Sequence, residues 1–216
     1  MATATPEHDP AEAIVLIHGL WVNGIEMSLL KRRLRKRGYP VYQFRYHSVL
    51  NSPAENAASL ASFVAKLPHP TLHFVCHSLG GLVIRHYFAS QSRLKPGRIV
   101  TLGSPHQGSG AARHLRRLPA GDRLFGKSLE QGLLGACPPW SGNHALGSIA
   151  GTLNLGLGRL LLRLPAPNDG AVTVAETQLE NMADHLQLHV SHLGLVLSRT
   201  TSLQCEHFIR HSEFKR

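Results

Sequence analysis

The chain has 216 residues, 43% of them hydrophobic, and a formal charge of +10 from 23 lysines and arginines against 13 acids. That length carries one α/β-sized core and is too short for two comfortable ones. Cys76, Cys137 and Cys205 are odd in number and scattered, which excludes a disulfide scaffold and reads as reduced thiols.

The first ten residues, 1–10, contain neither a basic n-region nor an apolar h-region, so no secretory signal is expected and cytoplasm is the default location. Residues 1–11 are expected to be a flexible N-terminus. A continuous apolar run over 13–17 predicts a central parallel strand covered on both faces, ended by His18-Gly19-Leu20-Trp21. In 26–37 the apolar Met27, Leu30 and Leu34 recur at helical spacing and leave a dense cationic face outward. Such a field attracts polyanions and anionic surfaces. No aromatics interleave the cations and no reading motif is present, so specific nucleic-acid binding is not expected.

Gly38-Tyr39-Pro40 breaks the pattern before a strand over 41–44. Ser52-Pro53-Ala54-Glu55 then reads as a capping box with proline at the helix start, for a helix running to residue 67. A strand over 71–77, a turn at Ser78, a helix over 79–89 and a strand over 98–102 follow, the last leading into Gly103-Ser104-Pro105-His106. Alternation of this kind predicts a doubly wound, mostly parallel sheet, whose ligands bind at the carboxyl ends of the strands.

Residues 107–146 depart from the alternation, with amphipathic pieces at 111–116 and 124–134. Leu115, Leu118, Leu124, Phe125, Leu129, Leu133, Leu134 and Trp140 offer more apolar surface than two short helices bury between themselves. Either they cover the carboxyl edge of the sheet, or they form a packed pair that only closes the fold. The least charged stretch, 131–158, is broken by Pro138, Pro139 and glycines and cannot be a spanning helix. The sheet is expected to resume at 147–151, followed by an amphipathic piece at 153–164, the turn Asn168-Asp169-Gly170, and a last strand over 185–190. Ser191-His192-Leu193 begins the loop after it.

Read alone, Ser78 is either a helix cap or a nucleophile, and Asp169 either turn chemistry or a catalytic acid. Together, Cys76-His77-Ser78-Leu79-Gly80, the early His18-Gly19, Gly103-Ser104-Pro105-His106 followed by Gly108, Asn168-Asp169-Gly170 and Ser191-His192 resemble the lipase and esterase branch of the α/β-hydrolase family, in its small bacterial form. The resemblance covers residues 12–210 and departs from the family at Cys76, where the G-x-S-x-G elbow has its first glycine. It implies the α/β-hydrolase fold in one domain over 1–216, with a short helical lid at 107–146. It further implies Ser78 as nucleophile, Asp169 as orienting acid and His192 as base, in the family's chain order. The backbone N–H groups of Leu20 and Leu79 would form the oxyanion hole, with His18, Gly19, His77 and Gly80 supporting the elbow and the oxyanion loop.

Asp184 competes with Asp169, and His185 and His189 with His192. Asp184 sits in a turn just before the last strand, His185 at its beginning, and His189 within it, pointing into the layers. No cofactor is expected, and no metal, because no pair of histidines has ligand spacing with a convincing third ligand. The activity implied is hydrolysis of carboxylic esters or thioesters through an acyl-enzyme. The partner implied is a small ester or thioester with an apolar acyl chain; Arg113, Arg116, Arg117, Arg123 and Lys127, interspersed with the leucines of 107–146, add the expectation of transient contact to an anionic membrane surface. An acyltransferase with the same triad, or an inactive hydrolase fold used as a binding module, would carry the same motifs.

Overall fold

A computed structural model describes residues 11–155 and 164–216. Six strands form one sheet: β1 (Glu12–Ile17), β2 (Val41–Phe44), β3 (Thr71–His77), β4 (Ile99–Leu102), β5 (Leu146–Gly151) and β6 (Asp184–Leu188). Their order across the sheet is β2-β1-β3-β4-β5-β6, and every neighbouring pair is parallel. The register of β1 on β3 runs from Glu12 opposite Thr71 to Ile17 opposite Cys76, which brings the ends of both strands level. Parallel strands need crossovers, and the first three run through the helices α1 (Ser28–Arg35), α2 (Pro53–Val64) and α3 (Gly80–Ser90).

The two-residue period of β1 explains its unbroken apolar run. Ala13, Val15 and Ile17 pack with Ala57, Leu60, Val64, Val83 and Ile84 of α2 and α3 on one face. Ile14 and Leu16 face the other layer, made by Met27, Leu30 and Leu34 with Leu195 and Val196 of α6 (Gly194–Leu197) and Phe208 of α7 (Arg199–His211). The predicted capping box is present: Ser52 Oγ accepts from the Glu55 amide at 3.2 Å, and the Ser52 amide donates to Glu55 Oε2 at 2.7 Å.

Two expectations are corrected. Residues 124–134 are not one helix: α4 (Gly110–Leu115) and α5 (Gly121–Phe125) are followed by a 3-10 turn at Gly126–Leu129. The helix stops because Gly126 has φ +54° against the Val49 carbonyl, to which the Lys127 amide donates at 3.0 Å. As a result Phe125, Leu129 and Leu133 turn inward onto Leu79, Leu82 and Ala112, while Leu118 and Leu124 are half exposed. Trp140 packs elsewhere, with Phe88 in the layer containing α2 and α3. The last strand also ends earlier than expected, at Leu188, where a turn bonds the Val190 amide to the Leu188 carbonyl. His189 therefore lies outside the strand and is exposed. The amphipathic piece expected at 153–164 falls largely outside the described residues.

Segment 107–146 is held at both ends. The buried Arg85 of α3 donates to the carbonyls of His106 and Pro138 at 2.8 and 2.9 Å. Glu176, also buried, accepts from the amides of Gly110 and Thr173 and so ties the start of α4 to the loop after β5.

Candidate active site

The turn between β3 and α3 puts Ser78 at φ +52°, a left-handed conformation that a non-glycine residue holds only when its surroundings enforce it. Strand and helix backbones nearly touch there. A side chain at Gly80 would lie 2.6 and 2.8 Å from the carbonyls of Ile17 and His18, so only glycine fits. The Ser78 amide is fixed to the Leu102 carbonyl at 2.9 Å. Cys76 tolerates the place of the family's first glycine because its side chain sits fully buried in the apolar layer with Val83 and Ile84. Burial holds its thiol pKa well above the ordinary value.

Asp169 and His192 meet across two loops. Asp169 Oδ2 lies 2.7 Å from His192 Nδ1, and the His192 amide donates to the Asp169 carbonyl at 2.9 Å. The aspartate is fully buried, and its Oδ1 accepts from the amides of Ala171 and Val172 at 2.9 and 2.8 Å, leaving Oδ2 to the imidazole. With the proton on Nδ1 donated to that carboxylate, Nε2 carries the lone pair. Gly103, at φ +58°, lets the backbone pass close to this pair: a side chain there would sit 3.0 Å from both Asp169 Oδ2 and His192 Nδ1.

His192 has a support that sequence reasoning placed only at the elbow. The His77 ring packs on it at 4.7 Å between centroids, and His77 Nε2 lies 3.2 Å from the His192 carbonyl. Burial, helped by the neighbouring His192, lowers the His77 pKa to about 3, so the ring is neutral and donates its Nε2 proton to that carbonyl. His18 is likewise a strut. Its Nδ1 donates to the Gly19 carbonyl at 2.8 Å, its Nε2 accepts from the Tyr46 amide, and its ring stacks on Tyr46 at 4.2 Å.

Two buried histidines predict an acid-labile fold. His106, bonded to Thr101 at 3.1 Å and facing Arg85, is held at about 3 by burial, as His77 is, against an ordinary value of 6.5. The unfolded chain binds protons on both below 6.5, whereas the folded chain does so only near 3. Their contribution is therefore complete above pH 6.5 and is lost as the pH falls toward 3, by up to about 1.4 kcal/mol per pH unit for each. Thermal melts should show Tm falling steadily from about pH 7 to pH 4.5, and the slope should be shallower in His106→Gln.

Ser78 and His192 line one cavity of about 250 Å³ at the carboxyl ends of the strands. Its walls are largely apolar: Leu20 and Trp21 from the loop after β1, Ala112 and Leu115 of α4, and Phe125 and Leu133. Trp21, at φ +60°, turns that loop, and its amide is held by Ser48 Oγ at 3.2 Å. Leu79 directly follows the serine as the cap residue of α3. The competing residues lie apart from the cavity. Asp184 accepts from the Phe214 amide at 2.8 Å and pairs with Arg216, and His185 bonds Thr177 at 2.9 Å. Among the described residues, no group of three histidine, cysteine or acidic side chains is placed to hold a metal ion.

A sequence model of a domain of unknown function, DUF7379, matches residues 1–124. The chain belongs to the DUF7379 family. In this DUF7379 protein the matched portion holds the loop after β1 and the elbow, while Asp169 and His192 lie beyond it. No curated protein sequence matches the chain. Among solved structures, the DUF7379 protein is similar to the mature form of lipase BlEst2 from Bacillus licheniformis, with a TM-score of 0.72 and 18% identity over 96% of this chain and 94% of that one. It is also similar to a carboxylesterase of the thaumarchaeon Nitrososphaera gargenis, at TM-score 0.62 and 16% identity over 95% and 93%. A metagenomic carboxyl esterase, MGS0156, matches at TM-score 0.65 and 20% identity over 86% of this chain and 65% of that one. The DUF7379 protein thus has the α/β-hydrolase fold that its sequence resembles.

Proposed function

We propose that this protein hydrolyses carboxylic esters or thioesters with Ser78 as nucleophile. The observation that carries this reading is the juxtaposition, on one apolar cavity, of a strained serine with a histidine whose Nδ1 is held by a buried aspartate. Ser78 Oγ attacks the acyl carbonyl carbon as His192 Nε2 takes the hydroxyl proton. The carbonyl π electrons move to oxygen, which the backbone N–H groups of Leu20 and Leu79 receive, each worth on the order of 10² to 10³ in rate. Collapse expels the alcohol or thiol, which recovers the proton from His192. Water, deprotonated by the same imidazole, then releases the acid and restores the serine. Asp169 holds the tautomer and stabilises the imidazolium, and neither step needs a cofactor.

Segment 107–146 acts in this reading as an apolar cover, through Ala112, Leu115, Phe125 and Leu133. Each methylene removed from water contributes about 0.8 kcal/mol, about fourfold in kcat/KM when the transition state realises it. Assays with p-nitrophenyl esters should show kcat/KM rising at least about tenfold from acetate to hexanoate or octanoate. Leu133→Ser should flatten that rise, whereas Leu124→Ser, on a half-exposed side chain, should leave it in place. A profile falling steadily from acetate would mean that these residues only pack the fold.

Trp21, Ile25, Leu118 and Leu124 are exposed, and Arg113, Arg116 and Arg123 stand among the last two. No helix among the described residues is long and apolar enough to cross a membrane. Transient docking on an anionic lipid surface is proposed for this face. Sedimentation with anionic vesicles should recover the protein at low salt and lose it at high salt or with zwitterionic vesicles. The three free thiols accord with a reducing compartment, and the cytoplasm is the location we propose.

A further inference from the structure

One contact at the rim of the cavity has no part in the chemistry above. Trp21, Val22 and Leu193 line the cavity and are exposed, so it meets solvent between the loop after β1 and the loop that carries His192. Segment 107–146 supplies its apolar walls through Ala112, Leu115, Phe125 and Leu133. Trp21 closes the seam between the loop after β1 and this segment. Its indole Nε1–H donates to the Leu124 carbonyl at 2.6 Å, and its ring packs on Phe125 at 5.2 Å between centroids. Among the described residues this is the one hydrogen bond that joins the loop to the segment.

Burial does not hold either partner in place, since Trp21 is 57% exposed and Leu124 50%. The indole is aimed instead by its own backbone, at φ +60° and with its amide fixed to the buried Ser48 Oγ at 3.2 Å. A tryptophan keeps that left-handed conformation only where its surroundings enforce it. The acceptor is a carbonyl in the last turn of α5, where helix carbonyls lack an intrahelical partner. An acyl chain that the cavity encloses lies along the walls of segment 107–146 and leaves this clasp intact. A longer chain must pass between Trp21 and Leu124, which breaks the bond and lifts the indole from Phe125. Its outer methylenes then reach water and contribute no burial.

We propose that Trp21 is a specificity-determining residue, whose clasp on Leu124 sets an upper limit on the apolar chain and makes medium-chain esters the preferred substrates. The proposal rests on the hydrolase reading for the placement of the chain. It adds an upper bound to the rise from acetate to octanoate, and assigns that bound to one side chain outside the triad and the oxyanion hole.

The experiment measures kcat/KM for p-nitrophenyl butyrate, octanoate and dodecanoate below micelle formation, on the wild-type protein, Trp21→Phe and Trp21→Ala. Calorimetric affinities for butyrate, octanoate and dodecanoate anions are measured on Ser78→Ala, with and without Trp21→Phe, which needs no turnover. In the wild type kcat/KM is expected to fall about tenfold from octanoate to dodecanoate. Trp21→Phe keeps a ring against Phe125 but has no donor, and should reduce that fall to about threefold, whereas Trp21→Ala should abolish it. Butyrate hydrolysis should change by less than about threefold in both, because a short chain does not reach the clasp. A wild-type profile that does not fall beyond octanoate overturns the proposal, a result that requires no variant to fold. It is also overturned if either variant keeps the full fall, or if both lower all three esters in proportion, as a residue that only braces the loop would. A length limit on anion binding to Ser78→Ala that Trp21→Phe relaxes, without any turnover by the wild type, would instead remove the hydrolase reading and leave the clasp standing.

Discussion

Replacing Ser78 by alanine is expected to lower ester turnover by about 10⁶ while leaving the fold intact. The elbow geometry is set by Gly80 and by the Ser78 amide bonded to Leu102, not by the hydroxyl, so removal of one oxygen leaves the strand-turn-helix connection as it is. Cys76, two residues earlier, offers no substitute nucleophile. Its side chain is fully buried, and its thiol is held well above its ordinary pKa by that burial. Rates with p-nitrophenyl butyrate and a circular dichroism spectrum, taken on both proteins, check the two halves of the expectation. A Ser78→Ala protein with near-normal turnover would end the proposed mechanism.

The next largest effect is expected from the acid. Asp169→Asn should lower turnover by about 10⁴, through the tautomer rather than through lost packing. Two amides, of Ala171 and Val172, donate to Oδ1, so an asparagine must present its carbonyl oxygen to them and its NH₂ to the imidazole. His192 Nδ1 then has to accept, which puts the ring proton on Nε2 and leaves the serine without a base. His192→Ala should match the loss at Ser78, since base and nucleophile act as a unit. Asp184→Asn, by contrast, should keep most activity and lower Tm, because Asp184 clamps the Phe214 amide and Arg216 at the far end of β6. Comparing kcat/KM for the two aspartate variants decides the assignment: an inactive Asp184→Asn beside an active Asp169→Asn would reverse it.

Much of this arrangement is legible in the chain because the signals are local. The apolar runs that become β1 and β3 are unbroken because both faces are covered, and the capping box of α2 is written in four consecutive residues. Asp169 and His192 could be placed by their loops at the carboxyl ends of β5 and β6. What could not be read depends on partners distant in sequence. The break at Gly126 comes from the Val49 carbonyl, and the inward turn of Phe125 and Leu133 follows from it. His77 looked like elbow support alone until folding set its ring on His192, 115 residues away. Gly103 belongs to a recognisable motif, yet its use, letting backbone pass close to Asp169 and His192, is visible only in three dimensions. Arg85 gave no signal beyond a cation within a largely apolar helix, and its bonds to the carbonyls of His106 and Pro138 come from segments distant in sequence.

Covalent labelling addresses the central claim most directly. The protein is treated with a fluorophosphonate, whose phosphorus takes the place of the acyl carbon and bonds to the attacking oxygen as fluoride ion departs, and the modified peptide is mapped by mass spectrometry. Stoichiometric modification of Ser78, abolished in Ser78→Ala and slowed in Asp169→Asn, is the result predicted here. Modification of any other residue, or an unlabelled Ser78 in a protein that still hydrolyses esters, would contradict it.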